Sequence, residues 1–538
     1  MTNSLNRRNF LKTTADSIAA ASLVPAMSQM ITSQFPLRRP FQRGRLVAIA
    51  ILAFAAATMS APTLAQTPTL SPAMPVDVTN GKQAAQSDWN TLGWQSFVAL
   101  NWPSMPPAPT GISGQPDTTQ KIGAAASNGA LIPTTWLTYR TASSTFLSGA
   151  PDPGPWSVPT FTPPAGRGTL LPTTPVAPGF SAMLLDMTSK LHNPVSGVNF
   201  PIDDINEASG TPLIDQAGWY VIFDIRLNQS EYTYIQQNKY YDALVQKNAF
   251  PPSPAPATFV GFPRTGRESM FNPPLPQWAH FGATEVKAAW RVLDPVKDKD
   301  KMSRYYTQTG YFLQPDGKTW QGPTTFGLIG LHILRLTPSS PSTWFWATFE
   351  QVDNVTVPQG ASFNPTLAAP STTNGNCPSS ANKPPASVTG NIPWSGTNPP
   401  VNVCRVTDPF PTDIQAANKA WQQALAGTVW ANYEMVGVIN PSVPNGPVNP
   451  VPSPYTPGPT ANTATLANTT METYVQAKGA SCMNCHGFGY PQYAPTTSGD
   501  YQVFSFLLTN ADSSDPTKAK RLGLPKNVVE MLKAASKK

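Results

Sequence analysis

The segment TFGLIGLHILRL, residues 325–336, is an apolar run whose length and composition favour a β-strand. It is followed by TPSSPS, residues 337–342, and then by TWFWATFEQVDNV, residues 343–355, a second run of the same kind. A short link rich in proline and serine between two such runs favours a β-hairpin. The two runs therefore predict neighbouring antiparallel strands.

Three further runs extend this β core outward. WYVIFDIRL, residues 219–227, alternates apolar residues with Asp224 and Arg226, which indicates one apolar and one polar face. TEVKAAWRVL, residues 284–293, and VWANYEMVGV, residues 429–438, are predicted strands of the same core. The spacing of apolar residues predicts helices over 88–102, 134–147, 231–247 and 412–426. The expected fold class is therefore α+β, with a mainly antiparallel β core and peripheral helices.

A cysteine motif near the carboxyl terminus carries the clearest chemical signal. GASCMNCHGFGY, residues 479–490, contains Cys482, Cys485 and His486 in the spacing C-x-x-C-H. This spacing favours covalent attachment of haem c, in which each thiol adds to a vinyl group and the imidazole binds the iron. Two alternatives stay open. Zinc needs a second ligand pair, which the other cysteines do not form, and a redox dithiol normally lies between a strand and a helix.

The other two cysteines, Cys377 and Cys404, form an even pair around a loop rich in proline, serine and asparagine. In an oxidising compartment such a pair favours a disulfide bond. Closing this loop would stabilise the fold by roughly 3 to 4 kcal/mol in the chain-entropy description.

The first 65 residues are predicted to be an export region. RRNFLK, residues 7–12, resembles the start of a twin-arginine signal. An arginine-rich stretch and the apolar run from Leu46 then form a secretory signal, with cleavage expected after Ala65. The apolar core is shorter than the about 20 residues of a spanning helix, so no stable membrane span is expected after cleavage. Either signal implies an exported, periplasmic protein.

The net charge of +7 belongs mostly to this export region. Residues 1–65 contain seven of the 36 basic residues and one of the 29 acidic residues, which leaves the rest of the chain with a net charge of +1. A nearly neutral chain gives no reason to expect nucleic-acid binding.

The motif and its surroundings resemble known cytochromes. Thr469 and Glu472 match a capping box that would open a short helix, and a helix followed by C-x-x-C-H resembles the start of a class I cytochrome c. The phrases WQSFVALNWP, EVKAAWRVL, FEQVDNV and ANTTMETYVQ are similar to those of exported bacterial cytochrome c-like proteins of unassigned function. The resemblance implies one haem c, thioether bonds at Cys482 and Cys485, and axial iron ligation by His486.

Composition and motif together suggest a domain plan. The 61 prolines predict long irregular loops, and residues 441–467 form a Pro-rich connector. The plan is an export region over 1–65, a β-rich core over 66–440, the connector, and a short helical haem segment over 468–538. Because the last segment is too short to enclose a haem alone, the core is expected to cover part of it.

The sixth iron ligand has two candidates. Met531 is the single methionine after the motif and lies in a predicted helix, where it could equally be a packing residue. His332 lies in the strand of residues 325–336, and a structural role is the alternative for it. His280 and His192 lie near prolines in loop-like sequence and are weaker candidates.

Charged residues within the predicted strands have no spacing that requires catalysis. They could form a solvated face or pair with one another. These positions are Glu285, Lys287, Arg291, Glu350 and Asp353.

The function expected from these features is single-electron transfer by a periplasmic monohaem c-type cytochrome with a redox partner protein. Two alternatives remain from the sequence. One is a haem enzyme whose open sixth site binds peroxide or dioxygen, and the other is an accessory or binding protein with a haem redox module. Whether the protein is an enzyme, and on what substrate, the sequence leaves undecided.

Overall fold

A single β-sheet organises the chain, and its composition explains the fold class. The computed structural model describes residues 67–107, 114–157, 171, 173–185, 212–249, 261–313, 320–340, 344–385, 398–439, 466–476, 482, 486 and 505–515. Within these ranges eight strands form the sheet. They are β1 Arg140–Thr141, β2 Met183–Leu185, β3 Ile222–Leu227, β4 Thr284–Val292, β5 Thr307–Leu313, β6 Trp320–Arg335, β7 Phe345–Gln351 and β8 Tyr433–Ile439.

Strand β6 is the centre of the sheet because its 16 residues are long enough to pair with three strands. One edge of β6 pairs with β4. The other edge pairs first with β5, from Trp320 to Gly327, and then with β7, from Gly330 to Arg335. All pairings are antiparallel except that of β2 with β5. The α+β class with a mostly antiparallel sheet is confirmed, as is the hairpin of β6 and β7.

Two adjacent rows of residues across five strands define the two faces of the sheet, since neighbouring side chains alternate between faces. The first face contains the row Arg226, Val286, Ile333, Ala347 and Val438. The second face contains the row Leu227, Glu285, Leu334, Trp346 and Ile439.

Helices pack on both faces of the sheet: the first and the last of them lie on the first face, and the three between them pack against apolar residues of the second face. The α-helices of the described residues are α1 Gln86–Leu100, α2 Ala142–Thr145, α3 Gln229–Gln237, α4 Ala243–Ala249 and α5 Thr412–Ala424. Helix α1 lies close to the sheet at Gly93, where a Cβ atom would be 3.2 Å from both Met435 Sδ and Val438 Cγ2. Beside it, Trp94 contacts Phe349 of β7 at 5.0 Å and Trp421 of α5 at 6.0 Å between ring centroids.

The second face is also covered, and this corrects the expected polar face of the strands. Every residue of β3, β4 and β7 is buried. Asp224 and Arg226 lie on the first face, where their side chains form an ion pair at 2.7 Å. Because both faces are buried, the alternation in residues 219–227 does not separate core from solvent.

Three predicted elements differ in detail. Residues 134–147 form a 3₁₀ turn, strand β1 and the short α2 instead of one helix, because Arg140 and Thr141 pair with β3. The helix expected over 231–247 is interrupted between α3 and α4, where Lys239 has a φ of 55°. The strand expected over 429–438 starts with a 3₁₀ turn at Val429–Asn432.

The disulfide prediction is confirmed. Cys377 and Cys404 are bonded, with their Cα atoms 5.6 Å apart. No helix in the described part of the chain is long and apolar enough to cross a membrane. The predicted export region over 1–65 lies outside the described residues, as does the connector apart from Leu466 and Ala467.

Candidate functional site

Cys482 and His486, the two described residues of the C-x-x-C-H motif, lie against the second face of the sheet. Cys482 and His486 are helical and partly buried, whereas Cys485 lies outside the described residues. Cys482 packs against the apolar cluster that contains Trp346, and His486 contacts the same tryptophan. The His486 ring lies 5.7 Å from the Trp346 ring and 5.3 Å from the Phe506 ring, measured between centroids.

An apolar cluster, which we call the apolar wall, lies against these two side chains. It consists of Leu334, Trp346, Ile439, Leu507 and Leu508, all of them buried, and Cys482 packs against the same cluster. The first three lie side by side on strands β6, β7 and β8. A porphyrin needs apolar contacts on its faces and a histidine ligand at its iron. The described residues around Cys482 and His486 fit both requirements.

The stretch before the motif, residues 466–476, is held on the same face, and we call it the anchor segment. Asn468, Thr469 and Thr470 are fully buried. The Asn468 amide nitrogen donates to Thr348 Oγ1 at 2.8 Å and to the Phe349 carbonyl at 3.0 Å. The chain before Cys482 is therefore bonded directly to strand β7.

Two glycines of the sheet make room for the anchor segment. A Cβ atom at Gly330 would lie 2.1 Å from Thr470 Oγ1, and one at Gly437 would lie 2.6 Å from Leu466 Cδ1. Real Cβ atoms do not approach other atoms so closely, because steric repulsion rises steeply at that distance. The absence of side chains at these positions lets the anchor segment contact the sheet.

The capping box expected at Thr469 and Glu472 takes a different form. Glu472 Oε2 accepts the backbone N–H of Asn468 at 2.8 Å, and the following turn is a 3₁₀ helix, Thr473–Val475. Thr469 does not cap this turn, because its backbone N–H and its hydroxyl both donate to Glu350. The Glu350 carboxylate on β7, and not the turn that follows, is therefore the acceptor for the N–H and the hydroxyl of Thr469.

Glu350 belongs to a charged cluster beneath the anchor segment. It lies opposite Glu434 across β7 and β8, and the Arg405 guanidinium donates to both carboxylates at 3.0 Å. Burial raises the pKa of Glu434 to about 7, although Arg405 favours its ionised form. The neighbouring charge of Glu350 adds to the increase.

His332 is on the same face and has an acidic partner. Its Nε2 atom lies 3.4 Å from Glu472 Oε2, and its side chain is 6% exposed. Burial opposes ionisation of Glu472, but His332, the Asn468 N–H and Lys287 together lower its pKa below the ordinary carboxyl value. His332 thus links the anchor segment to β6. This structural contact would be present whether Met531 or His332 is the sixth iron ligand.

The other candidate iron ligands lie away from this site or outside the described residues. The His280 Nε2 atom is 3.0 Å from the Leu275 carbonyl, in a separate turn. His192 and Met531 lie outside the described residues. Among the residues described, no group of three or more histidine, cysteine, aspartate or glutamate side chains is arranged to hold a metal ion.

The solvated face considered for the charged strand residues is wrong. Glu285, Lys287, Arg291, Glu350 and Asp353 are all buried. Arg291 donates to Asp215 at 2.8 Å and to Asp298 at 3.0 Å, while Asp353 accepts from Arg304 at 2.6 Å. Arg291, Asp353 and Glu350, the last through Arg405, therefore pair with charged residues outside this set of five and not with one another.

Sequence reasoning missed the residues that build the site around the motif. Trp346 and Phe506 flank His486. Asn468 bonds the anchor segment to β7, and Arg405 bridges Glu350 and Glu434 beneath it. They come from distant segments of the chain, so no local pattern joins them to the motif. The one available signal was the run Asn468–Thr470, whose short polar side chains can bond backbone groups.

Comparison with known proteins adds no relative to this description. No family model, no curated protein and no solved structure matches the chain.

Proposed function

We propose that this chain is a periplasmic monohaem c-type cytochrome that transfers single electrons with a redox partner protein. The observation that carries the proposal is the C-x-x-C-H motif, of which Cys482 and His486 both lie against the apolar wall. Cys482 and Cys485 would hold the haem by thioether bonds, and His486 would bind its iron. When bound, haem c supplies an iron that is reduced and oxidised by one electron.

The residues around His486 have defined tasks in this proposal. Trp346 and Phe506 flank its ring and limit its rotation. The apolar wall reduces the access of water to the ring and lowers the local dielectric, which is one means of setting a reduction potential. The anchor segment fixes the chain leading into the motif.

The proposal includes the finer features expected from the sequence. Residues 468–538 form the haem segment, long Pro-rich loops connect the core, and the export region over 1–65 delivers the chain to the periplasm. The sixth iron ligand is Met531 or His332.

Haem staining after denaturing electrophoresis tests the proposal, because thioether bonds survive unfolding. The exported protein should retain haem, and replacing Cys482 and Cys485 by alanine should abolish the stain. The matched control replaces Cys377 and Cys404, which removes as many sulfurs but leaves the motif intact, and its stain should persist. Exported protein that contains zinc and no iron, from a host able to attach haem c, would refute the proposal.

A further inference from the structure

Arg405 connects the disulfide loop to the interior of the protein. It follows Cys404 directly and is 3% exposed. Its backbone N–H donates to Asn374 Oδ1 at 2.9 Å, and its carbonyl accepts the Gly375 N–H at 2.8 Å. Since Asn374 and Gly375 lie just before Cys377, both ends of the closed loop hold Arg405 in place.

The guanidinium of Arg405 satisfies two carboxylates that would otherwise repel each other. Glu350 and Glu434 are cross-strand neighbours, and each accepts an N–H of Arg405 at 3.0 Å. The Phe410 ring covers the guanidinium, with its centroid 4.5 Å from Cζ. The Glu350 carboxylate is fully buried and the Glu434 side chain is 21% exposed, so two such neighbouring charges are unfavourable without a cation between them.

Glu350, which is held by Arg405, is in turn bonded to the anchor segment. Its Oε1 atom accepts the Thr469 N–H at 2.7 Å, and its Oε2 atom accepts the Thr469 hydroxyl. A second link runs from the Val406 N–H to Gln476 Oε1 at 3.4 Å, and the Gln476 side chain also donates to the Ala467 carbonyl at 3.0 Å. Arg405 and its neighbour therefore hold both ends of the anchor segment.

The anchor segment is close to the motif along the chain. Six peptide steps join Gln476 to Cys482, and such a chain reaches at most about 22 Å. Fixing Gln476 thus confines the region that Cys482 can occupy.

We propose that Arg405 is a positioning residue for Cys482 and His486, acting through Glu350 and Thr469, and that closure of the Cys377–Cys404 loop holds it there. The proposal rests on the proposed function for the haem readouts described below. Its core, that Arg405 orders the chain through Cys482 and His486, can be measured in protein with or without haem.

Hydrogen exchange of the exported protein, followed by mass spectrometry of peptides covering 466–476 and 482–486, tests the proposal. Arg405→Met should speed exchange in both peptides by about tenfold beyond any global change, because a charge-assisted link is lost. Arg405→Lys should lie between this variant and the parent, since lysine keeps the charge but loses the planar guanidinium that the Phe410 ring covers.

Two further variants keep the test decisive. Thr469→Val removes the hydroxyl link while leaving Arg405, Glu350 and Glu434 intact, so it should speed exchange in the same two peptides even if Arg405→Met folds poorly. Arg226→Met is the matched control, because it breaks another buried ion pair on the opposite face of the sheet. It should change exchange globally without singling out these peptides.

The haem spectrum provides a readout that a purely structural role would not alter. Arg405→Met and Thr469→Val should shift the visible and electron paramagnetic resonance spectra, whereas Arg226→Met should not. The positioning role is overturned if both peptides respond equally to Arg405→Met and Arg226→Met, or if residues 466–476 loosen while 482–486 and the spectra stay unchanged. A parent protein without haem refutes the proposed function alone, because the exchange in 482–486 still decides the role of Arg405.

Discussion

Replacing Gly330 by alanine should push the anchor segment off the sheet. The new Cβ atom would lie 2.1 Å from Thr470 Oγ1. That hydroxyl is held, because Thr470 is fully buried and donates to Asn468 Oδ1 at 2.7 Å. The contact can therefore be relieved only by moving the segment.

The expected cost follows from three terms. Overpacking a close-packed interior costs about 1–3 kcal/mol, and losing a hydrogen bond of the segment adds about 1 kcal/mol. Replacing glycine by alanine in an extended strand stabilises the fold by about 0.4–1 kcal/mol, because it lowers the conformational entropy of the unfolded chain. Gly330→Ala should thus lower the free energy of unfolding by about 1–3.5 kcal/mol, with repulsion as the dominant effect.

A double-mutant cycle separates this explanation from a general weakness of the strand. Thr470→Ala removes the clashing oxygen and should cost about 1 kcal/mol for its lost hydrogen bond. In that background Gly330→Ala should be nearly neutral, because the next contact, with Thr470 Cβ, is at 3.2 Å. The coupling free energy between the two substitutions should be about 2 kcal/mol.

Urea unfolding followed by tryptophan fluorescence provides the measurement, with the slope m compared among the variants to confirm that the unfolded state is unchanged. Effects that add within about 0.5 kcal/mol would refute the reasoning. They would show that Thr470 does not lie against Gly330 and that the anchor segment is placed elsewhere.

Three other predictions concern the disulfide, the charged cluster and the iron ligand. Replacing Cys377 and Cys404 by alanine should cost about 3.5 kcal/mol in urea unfolding for a loop of 27 residues, and an unchanged stability would contradict the chain-entropy argument. Because burial raises the pKa of Glu434 to about 7, its ionisation should reduce stability as pH rises from about 4 through 7. Glu434→Gln should therefore flatten the decrease in unfolding free energy between about pH 4 and pH 7, and an unaltered pH profile would exclude Glu434 as its source. Met531→Ala should open the iron to carbon monoxide and lower the reduction potential if Met531 is the sixth ligand; if the spectrum of that variant is unchanged and His332→Ala alters it, the ligand is His332.

Local patterns predicted the elements whose signal lies within a few residues. The hairpin of β6 and β7 followed from two apolar runs and a short turn-rich link. Helices α1 and α5 followed from their apolar spacing, and each is within two residues of its expected bounds. Strand β5 was missed, because its sequence TQTGYFL begins with three polar residues and a glycine and lacks a long apolar run.

The sequence by itself determined the chemistry that is proposed, since C-x-x-C-H is a contiguous pattern whose spacing has meaning without a fold. It also determined the disulfide partners once two cysteines were given to the motif. The tertiary structure decided which residues surround that chemistry. Strands β6, β7 and β8 bring Leu334, Trp346 and Ile439 together from separate parts of the chain.

The buried charges show the same division between what the sequence determines and what only the tertiary structure decides. Arg405 carries no local sign that it would bridge Glu350 and Glu434, because ion pairing depends on distance in space and not on distance along the chain. Likewise, the strands show period-two alternation, but only the covering of both faces decides that their polar side chains are buried and must find partners.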